Sequence, residues 1–470
     1  MRHTLTDTFI NHDRIQSFLE GSHTQPEPSR VEDLLDKALD LKGLTPEETA
    51  ALTRVESPEL VARIYETARS IKDTIYGRRL VLFAPLYISN ICHNECLYCG
   101  FRASNRDLGR RALNEAEITR EVEALIRQGH KRVLVVAGEG HDAHDGLDYA
   151  RRAVRAVYAA GERADAIRRV NVNLAPMSVD DFRLLASEGI GTYQLFQETY
   201  HQPTYARVHV RGPKTDYLWR LEAMDRAMEA GIKDVGIGPL LGLADWRFEV
   251  LGTLEHARHL EERFGVGPHT ISVPRLEPAP GSAMASSPPS PVSDEEFKRI
   301  IAILRIAVPY TGIILSTRES SEMRRAAFSL GVSQISAGSR TDPGGYTEDE
   351  PGGEREACQF ALGDHRSLDE VIRDCARLGY IPSFCTACYR LGRVGADFMD
   401  LAKPGEIKHH CDPNGLATFL EYLLDYGSPE TVAVGTKCIE ENMARLPEQA
   451  AARARKMLDR VASGERDVFC

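Results

Sequence analysis

The sequence predicts an α/β chain built on a (β/α)8 TIM-type barrel. From Leu80 onward, short apolar runs alternate with longer amphipathic segments, and eight such β-then-α units fit within about 260 residues. Chemistry-bearing residues also fall just after the strand-like runs, where a barrel gathers its active site. An open doubly wound sheet is the competing arrangement for the same alternation.

The elements follow in order. The first seventy or so residues read as helical and polar, and Thr45-Pro46-Glu47-Glu48 supplies a capping threonine, a proline at the first helical position and a glutamate at the third. Strands are expected over Leu80–Ile88, Arg132–Ala137, Val170–Leu174, Thr192–Phe196, Asp234–Leu240, Thr270–Pro274, Gly312–Ser316 and Val332–Ser336. Helical periodicity separates them, as in Glu115–Gln128, Tyr217–Ala230, Glu249–Phe264 and Asp294–Ala307. Glu277 to Val292, rich in Pro, Ser and Ala, reads as a surface loop without secondary structure. Gly344-Gly345-Tyr346 and Pro351-Gly352-Gly353 mark loops, and helical segments run from Ser367 to the end. The expected organisation is an N-terminal helical extension (1–78), the barrel (79–340) and a helical C-terminal cluster-binding domain (341–470).

Bulk properties narrow the function. The net charge of −11 argues against nucleic-acid binding. No apolar run is long enough for a transmembrane span, and Met1 to Asp7 has no signal-peptide core. Ten cysteines without a secretory signal point to a reducing, cytoplasmic setting, where clustered thiols read as metal ligands or redox groups. Cys358, Cys375, Cys438 and Cys470 are scattered and read as structural or incidental.

The remaining six form two groups. Cys92, Cys96 and Cys99 follow the first strand with C-x3-C-x2-C spacing. That spacing lets three soft thiolates converge on three corners of a [4Fe-4S] cube and leaves the fourth iron open. An open iron can chelate the amine and carboxylate of S-adenosylmethionine, and Tyr98 can pack near the adenine. A zinc site is the bland alternative, but zinc favours four closed ligands. Cys385, Cys388 and Cys411 form C-x2-C-x22-C. A second cubane is the natural reading, with a zinc half-site completed by His409 or His410 as the alternative. A thioredoxin-like redox pair is disfavoured because no strand immediately precedes it.

Several segments go beyond spacing. Phe83 to Asn90, Gly191 to His201, Ala223 to Gly231, Gly265 to Arg275 and the Cys385/Cys388/Cys411 set resemble the HydG family, the radical-SAM tyrosine lyases of [FeFe]-hydrogenase maturation. The resemblance covers roughly residues 60 to 470. The last cysteine set discriminates most, because the related tyrosine lyase of thiamine synthesis lacks it. The resemblance implies that S-adenosylmethionine is cleaved to a 5′-deoxyadenosyl radical, which abstracts hydrogen from L-tyrosine. The Cα–Cβ bond then breaks to give p-cresol and dehydroglycine, and dehydroglycine goes on to CO and cyanide at the C-terminal cluster. There an extra iron, bridged by free L-cysteine, is loaded as an iron–carbonyl–cyanide synthon. Implied partners are a reductant such as ferredoxin or flavodoxin and other hydrogenase maturation proteins. The chain departs from the family pattern beyond Gly138-Glu139, at Leu174 to Met177 and in the loop after Arg275.

Candidate site residues follow from position and resemblance together. Glu139, after Gly138 at the end of the second strand, can accept from the amino group of S-adenosylmethionine. Glu198 resembles the acid that holds the ribose hydroxyls, and Arg220 the arginine that binds the methionyl carboxylate; a helix-surface salt bridge is the alternative for Arg220. Gly236 and Gly238 allow close backbone approach to adenine. Arg318 ends the seventh strand and can bind a substrate carboxylate bidentately, with Tyr87 and Ser336 within reach. His269 precedes the sixth strand, which puts it at the opposite rim; the resemblance makes it a ligand to the extra iron. Competing functions are a simple tyrosine or other aromatic amino-acid lyase with a structural second cluster, and an iron–sulfur scaffold or carrier without turnover.

Overall fold

In the computed structural model, which describes residues 8–20, 25–140, 143–161, 166–347 and 358–470, eight parallel strands close on themselves. The strands are Arg79–Ser89, Arg132–Ala137, Arg169–Asn173, Thr192–Gln194, Asp234–Ile237, Thr270–Ser272, Gly312–Leu315 and Val332–Ser336. Each pairs with the next, and the last pairs back onto the first through Val81↔Gln334, Leu82↔Ile335 and Phe83↔Ser336. Closure removes the open edges, and helices cover the outside, so the strands are buried on both faces and read as near-continuous apolar runs. This is the expected (β/α)8 architecture. The termini of the fourth to sixth strands lie two to three residues short of expectation, because Phe196, Pro239 and Pro274 already belong to the loops at the strands' C-terminal rim.

The N-terminal extension is a set of short helices packed under the barrel wall. Three of them, Pro28–Ala38, Pro46–Thr53 and Pro58–Tyr76, begin with proline, whose missing N–H is harmless in a first turn. The Thr45/Glu48 capping box forms in both directions. Pro58–Tyr76 lays Leu60, Ile64, Ala68, Ile71 and Ile75 against the helix Asp294–Ala307, a spacing of three and four residues that marks one apolar face.

Three expectations are corrected. Glu277–Val292 carries a helical turn, Ala283–Ser286, capped by the Ser282 hydroxyl accepting from Ala285 N–H. Second, a strand does immediately precede Cys385: Ile381–Ser383 pairs in parallel with Arg79–Val81 beside the barrel. Its central Pro382 cannot donate to a ladder, which confines it to a sheet edge and hides it from a strand pattern. The expected helix Tyr217–Ala230 is divided at Glu222. Met1 to Asp7, His141, Asp142 and Pro351 to Gly353 lie outside the described residues. Among the described residues, no helix is long and apolar enough to cross a membrane.

The barrel interior positions two cavities. Along the first strand, the inward residues Phe83, Pro85 and Tyr87 line one cavity, and Arg79 and Val81 line the other. The second strand divides the same way, with Leu134 and Val136 at the top and Arg132 at the bottom. This is the period-two alternation of a strand, used once for each end of the barrel. From Arg79 to Tyr87 is eight steps of about 3.3 Å, roughly 26 Å of strand.

Candidate active site

Cys92, Cys96 and Cys99 lie on the loop that leaves the first strand. The loop is pinned by His93 N–H donating to Glu139 O at 3.0 Å and Ala103 N–H to Asn94 O at 2.8 Å. A Cβ on Gly138 would come within 2.4 Å of Ile91 O, so this glycine lets the second strand's end press against the cysteine loop. The Pro/Ser-rich segment lies across the same loop. Ser282 Oγ donates to Leu97 O at 2.7 Å, and Asn105 Nδ2 bridges Gly100 O and Pro280 O.

Beside the cysteines lies a buried charge cluster. Arg220 donates through Nη1 to Glu139 Oε1 at 2.9 Å and approaches Glu198 Oε1 at 3.5 Å. Its side chain is buried, which excludes the helix-surface salt bridge. Asn94 Nδ2 donates to Glu139 Oε2 at 2.6 Å, and Lys214 Nζ to Glu198 Oε1 at 2.6 Å. Burial would push the Glu139 carboxyl up, yet Arg220 and Lys214 hold it below the ordinary range. Burial alone would lower Lys214, but the surrounding carboxylates and Cys96 raise it. Glu198 has φ of +69°, unusual for a residue with a side chain and a form of strain that clusters at functional sites. Tyr98 is buried with Oη 2.8 Å from His209 Nε2.

The upper cavity has a volume of about 170 Å³ and opens beside Tyr98 and Cys99. Tyr87, Arg318 and Ser336 all line it, so the structure brings the three expected substrate residues together. Arg318 is half-buried, its guanidinium carbon 3.2 Å from the Phe360 ring centroid, and among the described residues no carboxylate forms an ion pair with it. Burial lowers its pKa. Ser336 Oγ accepts from Thr317 N–H at 3.1 Å, so this hydroxyl also fixes the loop that carries Arg318. Gly236 and Gly238 do not line this cavity. A Cβ at Gly236 would meet Thr270 Oγ1 at 2.4 Å and one at Gly238 would meet Ser272 O at 2.2 Å, so both relieve crowding between neighbouring strands.

Two residues at this site carry no sequence signal. Lys214 sits in a Gly-Pro-Lys turn that reads as a surface loop, and only the fold brings it to Glu198. Gln359 arrives from far along the chain: it accepts from Tyr87 Oη at 2.7 Å and lies 3.7 Å from Cys99 Sγ through Nε2.

At the other end of the barrel, a cavity of about 50 Å³ is lined by Cys385, Cys388, Cys411 and His269 together. His269 is held by its own N–H donating to Val235 O at 2.8 Å, with its ring against Phe398. Among the described residues His269 Nδ1 has no hydrogen-bond partner, and Asp234 Oδ1 is 3.6 Å away. Arg79, Arg132 and Arg393 also line it, and their Nε atoms are buried without partners among the described residues. Unpaired guanidinium N–H groups around three thiols fit an anionic thiolate-bound group. Ala387 N–H donates to Cys385 Sγ at 3.5 Å, the type of contact a bound sulfur accepts. At the upper site Gln359 plays that part for Cys99. Among the described residues no group of three or more His, Cys, Asp or Glu side chains stands at single-ion spacing.

Comparison with known proteins follows this geometry. The Radical SAM superfamily pattern matches residues 86–253, and the Biotin and Thiamin Synthesis associated domain matches residues 272–381. The chain is 33% identical over 361 residues to the 2-iminoacetate synthase of Escherichia coli (strain K12), covering 77% of this chain and 92% of that protein. A crystal structure of HydG, a maturase of the [FeFe]-hydrogenase, superposes with a TM-score of 0.93 at 48% identity, over 98% of this chain and 100% of that one. The maturase HydG from Carboxydothermus hydrogenoformans gives 0.83 at 41% identity, over 96% and 98%.

Proposed function

The chain belongs to the HydG family of [FeFe]-hydrogenase maturases, which are radical-SAM enzymes, and from that premise we propose that it cleaves the Cα–Cβ bond of L-tyrosine and carries the fragment on to CO and cyanide. The observation that carries the substrate reading is Arg318, a half-buried guanidinium with no ion-pair partner among the described residues, lining a cavity that Tyr87 and Ser336 also line. Such a group needs an anion, and an α-carboxylate supplies one bidentately.

Cys92, Cys96 and Cys99 would hold a [4Fe-4S] cluster and Cys385, Cys388 and Cys411 a second, with His269 as the chain's own ligand to an extra iron that a free L-cysteine would also hold. Bound there, the first cluster supplies the electron that splits S-adenosylmethionine, and the second accepts the products of dehydroglycine. The chain's own groups then have distinct tasks. Glu139 and Glu198 receive the amino and ribose groups of S-adenosylmethionine, and Arg220 its carboxylate. Tyr98 packs beside its adenine. Arg318 holds the tyrosine carboxylate, with Tyr87 and Ser336 bounding the pocket.

The name 2-iminoacetate synthase, carried by the Escherichia coli relative, supports dehydroglycine as the product, because the two words describe one imine of glyoxylate. The cationic lower cavity favours this reading over a simple lyase, which has no need of a second charged end. The test is one anaerobic assay with S-adenosylmethionine, tyrosine and reductant, read for 5′-deoxyadenosine, p-cresol, CO and cyanide together. All four are expected from the parent, and Cys96→Ala should make none of them. 5′-Deoxyadenosine from that variant, or no p-cresol from the parent, would sink the assignment.

A further inference from the structure

The surface nearest the first cysteine set differs in charge from the rest of the chain. Cys96 lies in a two-stranded antiparallel ladder, Glu95–Cys96 against His209–Arg211, with Cys96 opposite His209. Leu97 N–H donates to Val208 O at 3.0 Å, and Tyr98 Oη meets His209 Nε2. The outer strand continues into solvent: Val210 is 57% exposed, the most exposed large apolar residue among those described, and the Arg211 side chain is 70% exposed. Glu95 stands 3.5 Å from Arg102 and 3.8 Å from Arg211, so one carboxylate is shared by two guanidiniums and the trio stays positive. Arg106 and Arg207 are exposed nearby in sequence. Residues 91–111 and 202–215 together hold seven Arg and Lys; Lys214 and Arg111 pair with Glu198 and Glu117, which leaves Arg102, Arg106, Arg110, Arg207 and Arg211 against Glu95 and Asp107 in a chain whose net charge is −11.

We propose that this face receives an acidic one-electron carrier protein, with Val210 as its apolar contact and Arg106, Arg207 and Arg211 as a cationic rim. The inference rests on reading Cys92, Cys96 and Cys99 as the ligands of a cluster that must be reduced from outside. Only one ladder contact separates the exposed strand from the backbone of Cys96, so a carrier seated on Val210 has a short bonded route to that ligand. The chain as a whole repels an acidic carrier. A local positive patch overcomes this by steering encounter, and the gain is lost as salt screens it. A small apolar contact inside a charged rim also suits a transient complex that must release between turnovers.

The test uses the reconstituted full chain with S-adenosylmethionine and tyrosine, driven either by dithionite or by pre-reduced flavodoxin as the acidic probe. The variants are Val210→Asp and the double variant Arg207→Glu/Arg211→Glu, with Arg211→Gln as a control that removes charge without reversing it. With dithionite, 5′-deoxyadenosine formation should stay within about twofold of the parent in all three. With sub-saturating flavodoxin at low salt, the double variant should fall roughly tenfold or more and Arg211→Gln by less. The parent's flavodoxin rate should drop with added salt while the double variant's changes little. Full flavodoxin-driven rates in the double variant, or equal losses with both reductants, would overturn the docking face. A parent inactive with dithionite would instead overturn the radical-initiation reading, and the docking face with it.

Discussion

Arg318 sets the energetics of the upper cavity at the residue scale. A guanidinium partly withdrawn from water without an ion-pair partner is unfavourable, so the site is poised to recover that cost when a carboxylate arrives. Arg318→Ala should therefore weaken tyrosine by roughly 10- to 150-fold, the equivalent of about 1.5–3 kcal/mol for hydrogen bonds to a charged group. S-adenosylmethionine should still bind, since the residues proposed for it, Glu139, Glu198 and Arg220, lie on other loops and on the helix Tyr217–Leu221. Separate binding titrations for the two ligands check this, and equal losses for both would assign Arg318 a structural role. The contrast between residues also shows what sequence can carry. The cysteine triad is legible because three ligands share one loop, and Glu139 and Arg318 because each follows a strand. Lys214 and Gln359 are not, since nothing local marks either one. Their meaning comes from Glu198, Tyr87 and Cys99, all brought to them by the fold.

At the scale of elements, the helix Trp246–Phe264 does more than cover the barrel. Its Glu249 is buried and accepts from the Thr199 hydroxyl and, at 2.9 Å, from Tyr200 N–H, so it anchors the loop that begins with the strained Glu198. Burial pushes the Glu249 carboxyl up to about 8, against its hydrogen bonds. The folded chain then holds a proton that the unfolded chain releases near pH 4.3, so stability falls as pH rises from there through about 8 and levels off above. Glu249→Gln keeps an acceptor for Tyr200 N–H and removes the ionisation. It should flatten the pH profile between 5 and 8 and make the protein more stable than the parent at pH 8 to 9, by a few kcal/mol at most. Thermal midpoints across that range test the sign; an unchanged slope would remove Glu249 from the account. Helices and strands of this size were legible from periodicity, and helix Asp294–Ala307 agrees at both ends. Ile381–Ser383 was not, because three residues around a proline leave no alternation to read. Ala283–Ser286 is a single turn fixed by one serine cap, too short for a helical period.

For the whole molecule, the barrel is a wall with a cavity at each end, and the chain closes each end with segments distant in sequence. Gln359 and Phe360 return to the top against Cys99 and Arg318, while Ile381–Ser383 joins the bottom of the first strand and delivers Cys385 beside Arg132 and His269. The opposite placement of His269 and Arg318 was legible, because one precedes its strand and the other follows. The docking of the C-terminal helices was not, because it depends on the hidden edge strand. Roughly 26 Å of strand between the ends means that chemistry at the bottom can fail without disturbing the top. Replacing Cys385 and Cys388 together with alanine should leave p-cresol formation largely intact and cyanide partly so. It should suppress CO and abolish any iron–carbonyl product. His269→Ala should do less, keeping the second cubane but losing or loosening the extra iron. Metal analysis and electron paramagnetic resonance separate the two variants, and product analysis separates both from a top-end defect such as Arg318→Ala, which should lose all products together. Full-rate p-cresol and CO from the double cysteine variant would make the lower centre a structural staple, and the simple lyase would then be the better account of the chain.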